Sequence, residues 1–543
     1  MTAEYDYDVI IRRGTVYDGS GSDPFIADIG IKGRLIQTIG QINTKSARKE
    51  IDASGLAVSP GFINIMSWAP ISLLYDGRSQ SDIRQGVTLE VFGEGWSEGP
   101  INEVMRKEII ALQGDIKYDI PWNTLGEFLE YLEKRGVSTN IASFVGADTV
   151  RIYAMGFEDR SPTAEELDLM KRLVREAMEE GAMGVSTALI YPPGCFTSTE
   201  EIIELAKVAA EYDGLYISHI RSEGNRLLEA VEELLRIARE ANIRAEIYHL
   251  KAMGEKNWWK MDEVIKKVNN ARSDGLRITA DMYPYTAGAT GLGATMPGWV
   301  QADGHQAWIE RLKDPAIRER LRVEMTTPSD EWENVYLNAG SAKNILLVSF
   351  KSEKLKPLTG KTLAEVAAMR GQSEIDTILD LIIEDDSNVG TVYFTMTEDN
   401  LRKQIKVPWV CMGSDAPSLA PEGLFLKSST HPRAYGTFAK FLGRYVRDER
   451  LIPLPEAIRR ITSLPANTLK IKNRGWLKPG YFADIAVFDF EKIQDHATYE
   501  QPHQYASGVI HVFVNGVQVL ENGEHTGKMG GQVVRGPGWK KNK

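Results

Sequence analysis

Two histidines that are thirty residues apart each end a short apolar run of this sequence. His219 closes the segment GLYISH, and His249 closes the segment IRAEIYH. Between them, residues 225–241 carry Leu, Ala, Val and Ile at helical spacing, with Glu and Arg on the opposite face. A strand, a helix and a strand at this spacing predict a βαβ unit with parallel strands. We therefore expect both histidines at the same sheet edge, where they can bind one metal ion; the alternative is that each is a structural histidine.

Other side chains capable of chemistry follow apolar runs that are typical of strands: Glu94, Asp148, Tyr191, Asp281, Tyr283 and Asp415. Glu94 with the two histidines supplies three zinc ligands and leaves the fourth position open to water. Glu94 could equally be a solvated loop carboxylate. Zinc lowers the pKa of its water towards about 7, and a nearby carboxylate can pass that water's proton to a leaving group. Asp415, in GSDAP, is the candidate for this transfer; its alternative role is to cap the following helix.

The elements that must position these residues alternate between strands and helices over residues 58–469. About eight βα units predict an α/β fold of the (β/α)8 TIM-like barrel type, in which functional side chains lie at the carboxyl ends of the strands. A doubly wound sheet is the alternative. Residues 1–57 and 470–535 alternate apolar and polar residues between glycines, which predicts a small β-sandwich built from both termini. Residues 288–350 interrupt the alternation and are expected to form a lid over the site or an inert insertion.

The composition excludes several classes of partner. The net charge of −11 argues against nucleic acid and against anionic membranes. The sequence contains no apolar run long enough to span a membrane, and its acidic first residues do not resemble a secretory signal. Cys195 and Cys411 are too few for a disulfide framework, which favours a reducing compartment. We therefore expect a cytoplasmic protein whose partner is a small molecule; the oligomeric state is left open.

A resemblance to a known family covers nearly the whole chain. The sequence resembles the D-aminoacylase (N-acyl-D-amino-acid deacylase) branch of the amidohydrolase superfamily, through SPGFIN (59–64), RQGVTLEVFGEG (84–95), STALIYPPG (186–194), SHIRSEG (218–224), YHLKAMG (248–254), DMYPYTAG (281–288), GSDA (413–416), HPRAYGTF (431–438), SLPA (463–466) and GWLKPGYFADIAVFD (475–489). The resemblance implies a metal-dependent barrel with a small β-sandwich and a lid insertion. The implied reaction is hydrolysis of an amide to an amino acid and a carboxylate.

One departure from the family pattern bears on the metal. The superfamily usually has His-x-His at the end of the first barrel strand, where this sequence has Met66 and Trp68. Neither is a plausible zinc ligand, because a thioether is soft and indole only donates hydrogen bonds. In the D-aminoacylase branch the tightly held metal uses the two later histidines and a cysteine, near whose position this chain has Glu94. The expectation is therefore one zinc ion on Glu94, His219 and His249.

The resemblance also implies candidates for substrate binding. Lys251 and Tyr191 correspond to family positions near the substrate, so Lys251 could pair with a substrate carboxylate and Tyr191 could polarise the scissile carbonyl. Arg221 and Arg433 are further candidates for binding an anion. For all of these, an ordinary loop salt bridge or packing contact is the alternative. Tyr283 and Tyr285 are expected in the pocket wall, and His431 is expected to orient Asp415.

Three functional hypotheses follow. The first is a metal-dependent amidohydrolase that acts on a linear amide, an N-acyl-D-amino acid, with zinc-activated water. The second is a dipeptidase or cyclic-amide hydrolase on the same barrel. The third is a non-catalytic relative that lost its metal with His-x-His and binds a small ligand.

Overall fold

The computed structural model describes residues 5–43 and 46–540. The predicted ends of the chain at residues 1–4 and 541–543, and residues 44–45 of the predicted β-sandwich, lie outside the described part. None of the described helices combines the length and the hydropathy that crossing a membrane requires.

A barrel of parallel strands forms the centre of the molecule. Its strands are Phe62–Asn64, Val87–Phe92, Asn140–Ser143 continued by Val145–Gly146, Gly184–Ala188, Leu215–His219, Arg244–Ile247, Ile278–Met282 and Val410–Met412. Neighbouring strands pair in parallel along two ladders. The first and last strands meet through the Asp415 N–H, which donates to the Met66 carbonyl oxygen at 2.9 Å, and through a bridge between Ser67 and Ala416.

The predicted βαβ unit between the two histidines is confirmed. The strand Leu215–His219 pairs in parallel with Arg244–Ile247, and Ser218 lies opposite Ile247. The helix Leu227–Glu240 buries its Leu, Val, Ile and Ala side chains against the barrel and exposes its charged face. Because the two strands run in parallel and in register, both histidines reach the same end of the barrel.

Helices surround the barrel strands on the outside. They are Pro70–Tyr75, Gln80–Ile83, Glu103–Leu112, Leu125–Arg135, Ala147–Met155, Ala164–Glu180, Thr199–Ala210, Leu227–Glu240, Lys260–Ser273, Glu398–Ile405, Arg433–Lys440 with its π-helical extension Phe441–Asp448, Leu454–Ile461 and Ser463–Thr468. Several begin at a side-chain cap; for example, Thr163 and Glu166 form a capping box at the start of the helix Ala164–Glu180. Their apolar faces and the strands form one large core that includes Phe62, Phe128 and Trp122.

Strands from both ends of the chain form one nine-stranded sheet beside the barrel. Its strands are Tyr7–Val16, Phe25–Lys32, Leu35–Gly40, Ala47–Asp52, Ala57–Pro60, Ile485–Phe488, Val509–Val514, Val517–Glu521 and Glu524–His525. The two halves join where Ala57–Pro60 pairs antiparallel with Ile485–Phe488. Apolar side chains of both halves, among them Ile29, Val58 and Phe513, share a separate core. Hydrogen bonding thus links the strands of both chain ends into one sheet, as the predicted joint β domain requires.

The inserted segment is longer than residues 288–350. A three-stranded antiparallel sheet joins Gly288–Gly291 and Ile345–Ser349 to Gly390–Tyr393, so the insertion extends to Tyr393. Its helices are His305–Lys313, Pro315–Thr326, Val335–Asn338, Leu363–Arg370 and Glu374–Glu384. These elements share their own apolar core. The helix Leu363–Arg370, which follows the predicted end of the insertion at residue 350, therefore belongs to the insertion.

Candidate metal centre

Three buried side chains meet at the carboxyl end of the barrel strands. Glu94 Oε1 lies 3.0 Å from His219 Nδ1 and 2.7 Å from His249 Nε2. Donor atoms of the three residues lie within 4.8 Å of one another. His219 Nε2 is buried and has no hydrogen-bond partner among the described residues. Two imidazoles and one carboxylate are a donor set that zinc accepts, so these residues fit a metal ion.

The backbone at two positions of this site is unusual. His249 and Asp415 have φ angles of 34° and 50°, in the left-handed region that non-glycine residues rarely occupy. The His249 N–H donates to Asp281 Oδ1 at 2.9 Å, which helps to hold this conformation. Asp281 is fully buried, and burial raises the pKa of its carboxyl to about 7. Such strain commonly occurs at functional sites, where the surrounding structure must enforce it.

A second acid, Glu223, lies on the other side of the histidines. Glu223 Oε1 is 3.0 Å from His249 Nδ1 and accepts a hydrogen bond of 2.6 Å from Lys251 Nζ. Its other oxygen is 3.6 Å from His219 Nε2. Burial raises the pKa of Glu223, but Lys251 and the two histidines outweigh it and hold that pKa well below its usual range. The sequence analysis did not predict that Glu223 contacts the two histidines, although Glu223 stands in SHIRSEG four residues after His219.

The groups around His249 have opposing effects on its pKa. Burial and Lys251 lower the pKa of His249, yet the carboxylates of Glu94 and Glu223 raise it to about 10. Burial raises the pKa of Glu94, and the two histidines bring it well below its usual range. Glu94 is therefore an anion at neutral pH, and its negative charge favours a cation between the histidines.

Asp415 pairs with Arg433 rather than with His431. Arg433 Nη1 lies 2.6 Å from Asp415 Oδ2, and both side chains are buried. Burial raises the pKa of Asp415, while Arg433 and His249 lower it. His431 instead faces the Ala287 carbonyl oxygen, 2.9 Å from Nε2, and its Nδ1 accepts the Arg433 N–H. The expectation that His431 touches Asp415 is therefore wrong, because its two ring nitrogens are used elsewhere.

A cavity of about 980 Å³ opens above these groups. It is lined by Glu94, His219, His249, Glu223, Lys251, Asp415, Arg433, Tyr191 and Tyr283, together with apolar side chains. The Tyr191 ring lies 5.2 Å from that of His219, and burial followed by the charge of Glu94 raises the pKa of its hydroxyl well above 10. Tyr191 is thus a hydrogen-bond donor at neutral pH. The Tyr283 hydroxyl is buried without a partner among the described residues.

Arg221 and Tyr285 do not line this cavity. Arg221 Nη2 binds Glu233 at 2.8 Å and donates to the Thr197 carbonyl oxygen at 2.8 Å, beside a separate cavity of about 270 Å³. The expectation that Arg221 faces the substrate is therefore corrected: it forms the ordinary salt bridge that was its alternative. Tyr285 packs against His431 with ring centroids 5.3 Å apart. Asp148 is buried outside the cavity, where burial raises the pKa of its carboxyl.

Comparison with known proteins identifies the family of the chain. Residues 49–520 match the amidohydrolase family. The chain belongs to the amidohydrolase family. It is 32% identical over 534 residues to the D-aminoacylase of Alcaligenes xylosoxydans xylosoxydans, covering 97% of each chain. The predicted family is therefore confirmed.

Two solved structures share the whole fold. The N-acyl-D-glutamate deacylase of Bordetella bronchiseptica, solved with zinc and a phosphonate inhibitor, has a TM-score of 0.81 at 30% identity and is covered to 99%, with 97% of this chain. A D-aminoacylase studied for its binuclear metal centre has a TM-score of 0.80 at 31% identity and is covered completely, again with 97% of this chain. The predicted barrel with an additional β domain is confirmed by this agreement.

Proposed function

We propose that this amidohydrolase hydrolyses a linear amide, an N-acyl-D-amino acid, to the free amino acid and a carboxylate, with one zinc ion on Glu94, His219 and His249. The observation that carries the proposal is the buried cluster of these three side chains beside Asp415 in one cavity. The similarity to two deacylases over nearly their whole length supports the reaction class. When bound, zinc would supply a hydroxide at neutral pH and polarise the amide carbonyl.

The protein's own groups perform the remaining steps. Asp415 takes the proton of the attacking water and gives it to the leaving amide nitrogen. The Tyr191 hydroxyl, protonated at neutral pH, donates a hydrogen bond to the carbonyl oxygen as negative charge develops on it. Glu223 Oε1 lies 3.0 Å from His249 Nδ1 and 2.6 Å from Lys251 Nζ, and Lys251 Nζ lies 2.6 Å from the same Nδ1, so that Nε2, which faces Glu94, is the nitrogen left for the metal.

The cations of the cavity indicate where the substrate carboxylate binds. Lys251 is held by Glu223, and Arg433 is paired with Asp415. Arg433 Nε is nevertheless buried without a hydrogen-bond partner among the described residues. We therefore place the substrate carboxylate against Arg433, with Tyr283 in the wall beside it; the ring centroid of Tyr283 lies 4.5 Å from the Arg433 guanidinium. Lys251 contributes further positive charge, since its Nζ lies 5.7 Å from the centroid of the same Tyr283 ring.

The rest of the cavity favours an uncharged substrate side chain. Lys351, which also lines the cavity, is paired with Asp386 at 2.8 Å. Much of the wall is apolar and includes Ile109, Leu112 and Phe425. An acidic side chain would lie there without a free cation among the described residues, and burying an unpaired charge is costly. N-acyl derivatives of apolar D-amino acids are therefore the proposed substrates, rather than N-acyl-D-glutamate.

A substrate panel tests the proposal. Protein stripped of metal is assayed before and after zinc addition with N-acyl-D- and N-acyl-L-amino acids, dipeptides and hydantoin-like rings. We expect zinc-dependent turnover of N-acyl-D-leucine over its L-isomer and over N-acyl-D-glutamate. His219→Ala should lose both zinc and activity. Turnover of only dipeptides or rings would select the second hypothesis, and thermal shifts without zinc uptake or turnover would select the non-catalytic one.

The cellular location is also a proposal. Cys195 and Cys411 are both free, and no disulfide forms in the described part of the chain. Free thiols are compatible with a reducing compartment such as the cytoplasm. A small-molecule amide remains the proposed partner, with no role for nucleic acid or membrane.

A further inference from the structure

The two oxygens of Glu94 have different partners. Oε1 faces both histidines, whereas Oε2 accepts a hydrogen bond of 2.9 Å from the indole Nε1 of Trp68. We infer that Trp68 is a positioning residue: it holds Glu94 so that one oxygen binds the metal, and it closes the site to a second cation. The inference rests on the proposed metal site and deepens it.

Hydrogen bonds hold the backbone that carries the indole. The Trp68 N–H donates to the Ala416 carbonyl oxygen at 3.0 Å, and the Ser67 N–H donates to the Val91 carbonyl oxygen at 2.9 Å. The Met66 carbonyl oxygen accepts the Asp415 N–H at 2.9 Å. Residues 66–68 are thus bound both to the second barrel strand and to the loop that follows the last barrel strand. From this backbone the indole N–H reaches Glu94, although 43% of Trp68 is exposed.

This contact removes the ligand atoms that a second cation would need. A carboxylate that bridges two cations through both of its oxygens needs each oxygen free, and the indole N–H occupies Oε2 and presents a positive dipole there. Met66, which is 1% exposed, offers only a buried thioether. Asp415 is neutralised by Arg433. The similar D-aminoacylase has a binuclear centre, whereas in this chain the Trp68 indole N–H takes up the second oxygen of Glu94.

The indole also restrains the first ligand. A carboxylate with both oxygens free can rotate and bind a metal with either oxygen or with both. Holding Oε2 keeps Oε1 directed at the histidines, and such supporting hydrogen bonds typically contribute about 10- to 100-fold to metal affinity. Removing the Trp68 N–H should therefore lower the zinc affinity measurably, even when the number of bound ions stays the same.

Three variants test the two parts of the inference. Trp68→Phe removes the N–H and keeps an aromatic ring, whereas Trp96→Phe changes another indole of the same cavity that makes no hydrogen bond to the Glu94 side chain. Met66→His/Trp68→His supplies two imidazoles at the closed position. Zinc per chain is counted by mass spectrometry after dialysis, zinc affinity is measured against a competing chelator, and the cobalt absorption spectrum reports the ligand environment. Circular dichroism verifies folding.

The expected pattern is specific to each variant. Wild type binds one zinc ion; Trp68→Phe binds one ion about 10- to 100-fold more weakly, with an altered cobalt spectrum; Trp96→Phe matches wild type; the double histidine variant binds two. Wild-type affinity in Trp68→Phe, or two ions in the wild-type chain, overturns the inference. One bound ion without amide hydrolysis overturns the proposed function and leaves the inference standing.

Discussion

The pair of Arg433 and Asp415 makes a quantitative prediction about pH. Burial raises the pKa of Asp415, and Arg433, 2.6 Å away, lowers it. Arg433→Met keeps an apolar stem and removes the charge, so the pKa of Asp415 should rise further. An opposite charge at this distance typically lowers a carboxylate pKa by about 1–3 units, equivalent to about 1.4–4 kcal/mol. A protonated Asp415 cannot accept the water's proton.

The assay is the pH profile of kcat/KM on an N-acyl-D-amino acid. The acidic limb reports the ionisation of the essential base in the free enzyme. In Arg433→Met we expect this limb to move by about 1–3 units towards higher pH, whereas Arg433→Lys, which retains a positive charge, should move it much less. KM should rise in Arg433→Met as well if the arginine also binds the substrate carboxylate.

Unfolding of the same variant gives an independent measurement. Removing one partner of a buried ion pair costs about 3–5 kcal/mol, because the other charge stays buried and unpaired. A folded-state pKa above the unfolded value means that the native form loses stability as pH rises through that interval. The loss in the free energy of unfolding caused by Arg433→Met should therefore be larger at pH 8 than at pH 5. An acidic limb at the wild-type position, with the stability deficit independent of pH, would refute the reasoning.

Further predictions concern other buried charges. Burial raises the pKa of Glu98 to about 7, so its carboxylate destabilises the fold as pH rises from the unfolded value; Glu98→Gln should stabilise by up to about 3 kcal/mol at pH 8 and hardly at pH 4 in urea unfolding. Equal gains at both pH values would contradict this. Arg151 binds both Glu201 oxygens at 2.7 and 2.8 Å. Arg151→Met should cost about 3–5 kcal/mol, and Arg151→Met/Glu201→Met should recover most of it; a double variant as unstable as the single one would argue against an ion-pair origin.

Local patterns made the barrel and part of the site predictable. Strand and helix periodicity depends only on neighbouring residues, so it can be read from the sequence. The apolar runs before His219 and His249, with a helical repeat between them, therefore predict two parallel strands. Parallel pairing then brings the histidines to one edge. Glu94 could be placed by the same argument, but its contact with Trp68 could not, because the direction of a loop side chain depends on the tertiary structure.

Long-range pairings explain what sequence reasoning missed. Glu223 and Arg221 lie in one short loop, yet Glu223 turns towards Lys251 and Arg221 turns towards Glu233. The local sequence does not indicate which of the two side chains turns into the cavity. The length of the insertion was underestimated because its sheet joins Gly288–Gly291 to Gly390–Tyr393, a hundred residues later. Hydrophobic periodicity identifies a strand but not its partner, so it does not reveal a pairing between strands a hundred residues apart.

The sheet shared by both termini has a consequence for how the chain is synthesised. Its first five strands are complete before the barrel begins, but Ala57–Pro60 has no antiparallel neighbour until Ile485–Phe488 emerges from the ribosome. For most of translation the N-terminal half of the sheet therefore shows an open edge and an unfinished apolar core, a condition that favours aggregation. Such distant pairing also slows folding. The yield of soluble protein should thus depend on whether a chaperone covers that edge until the C-terminal strands have been synthesised.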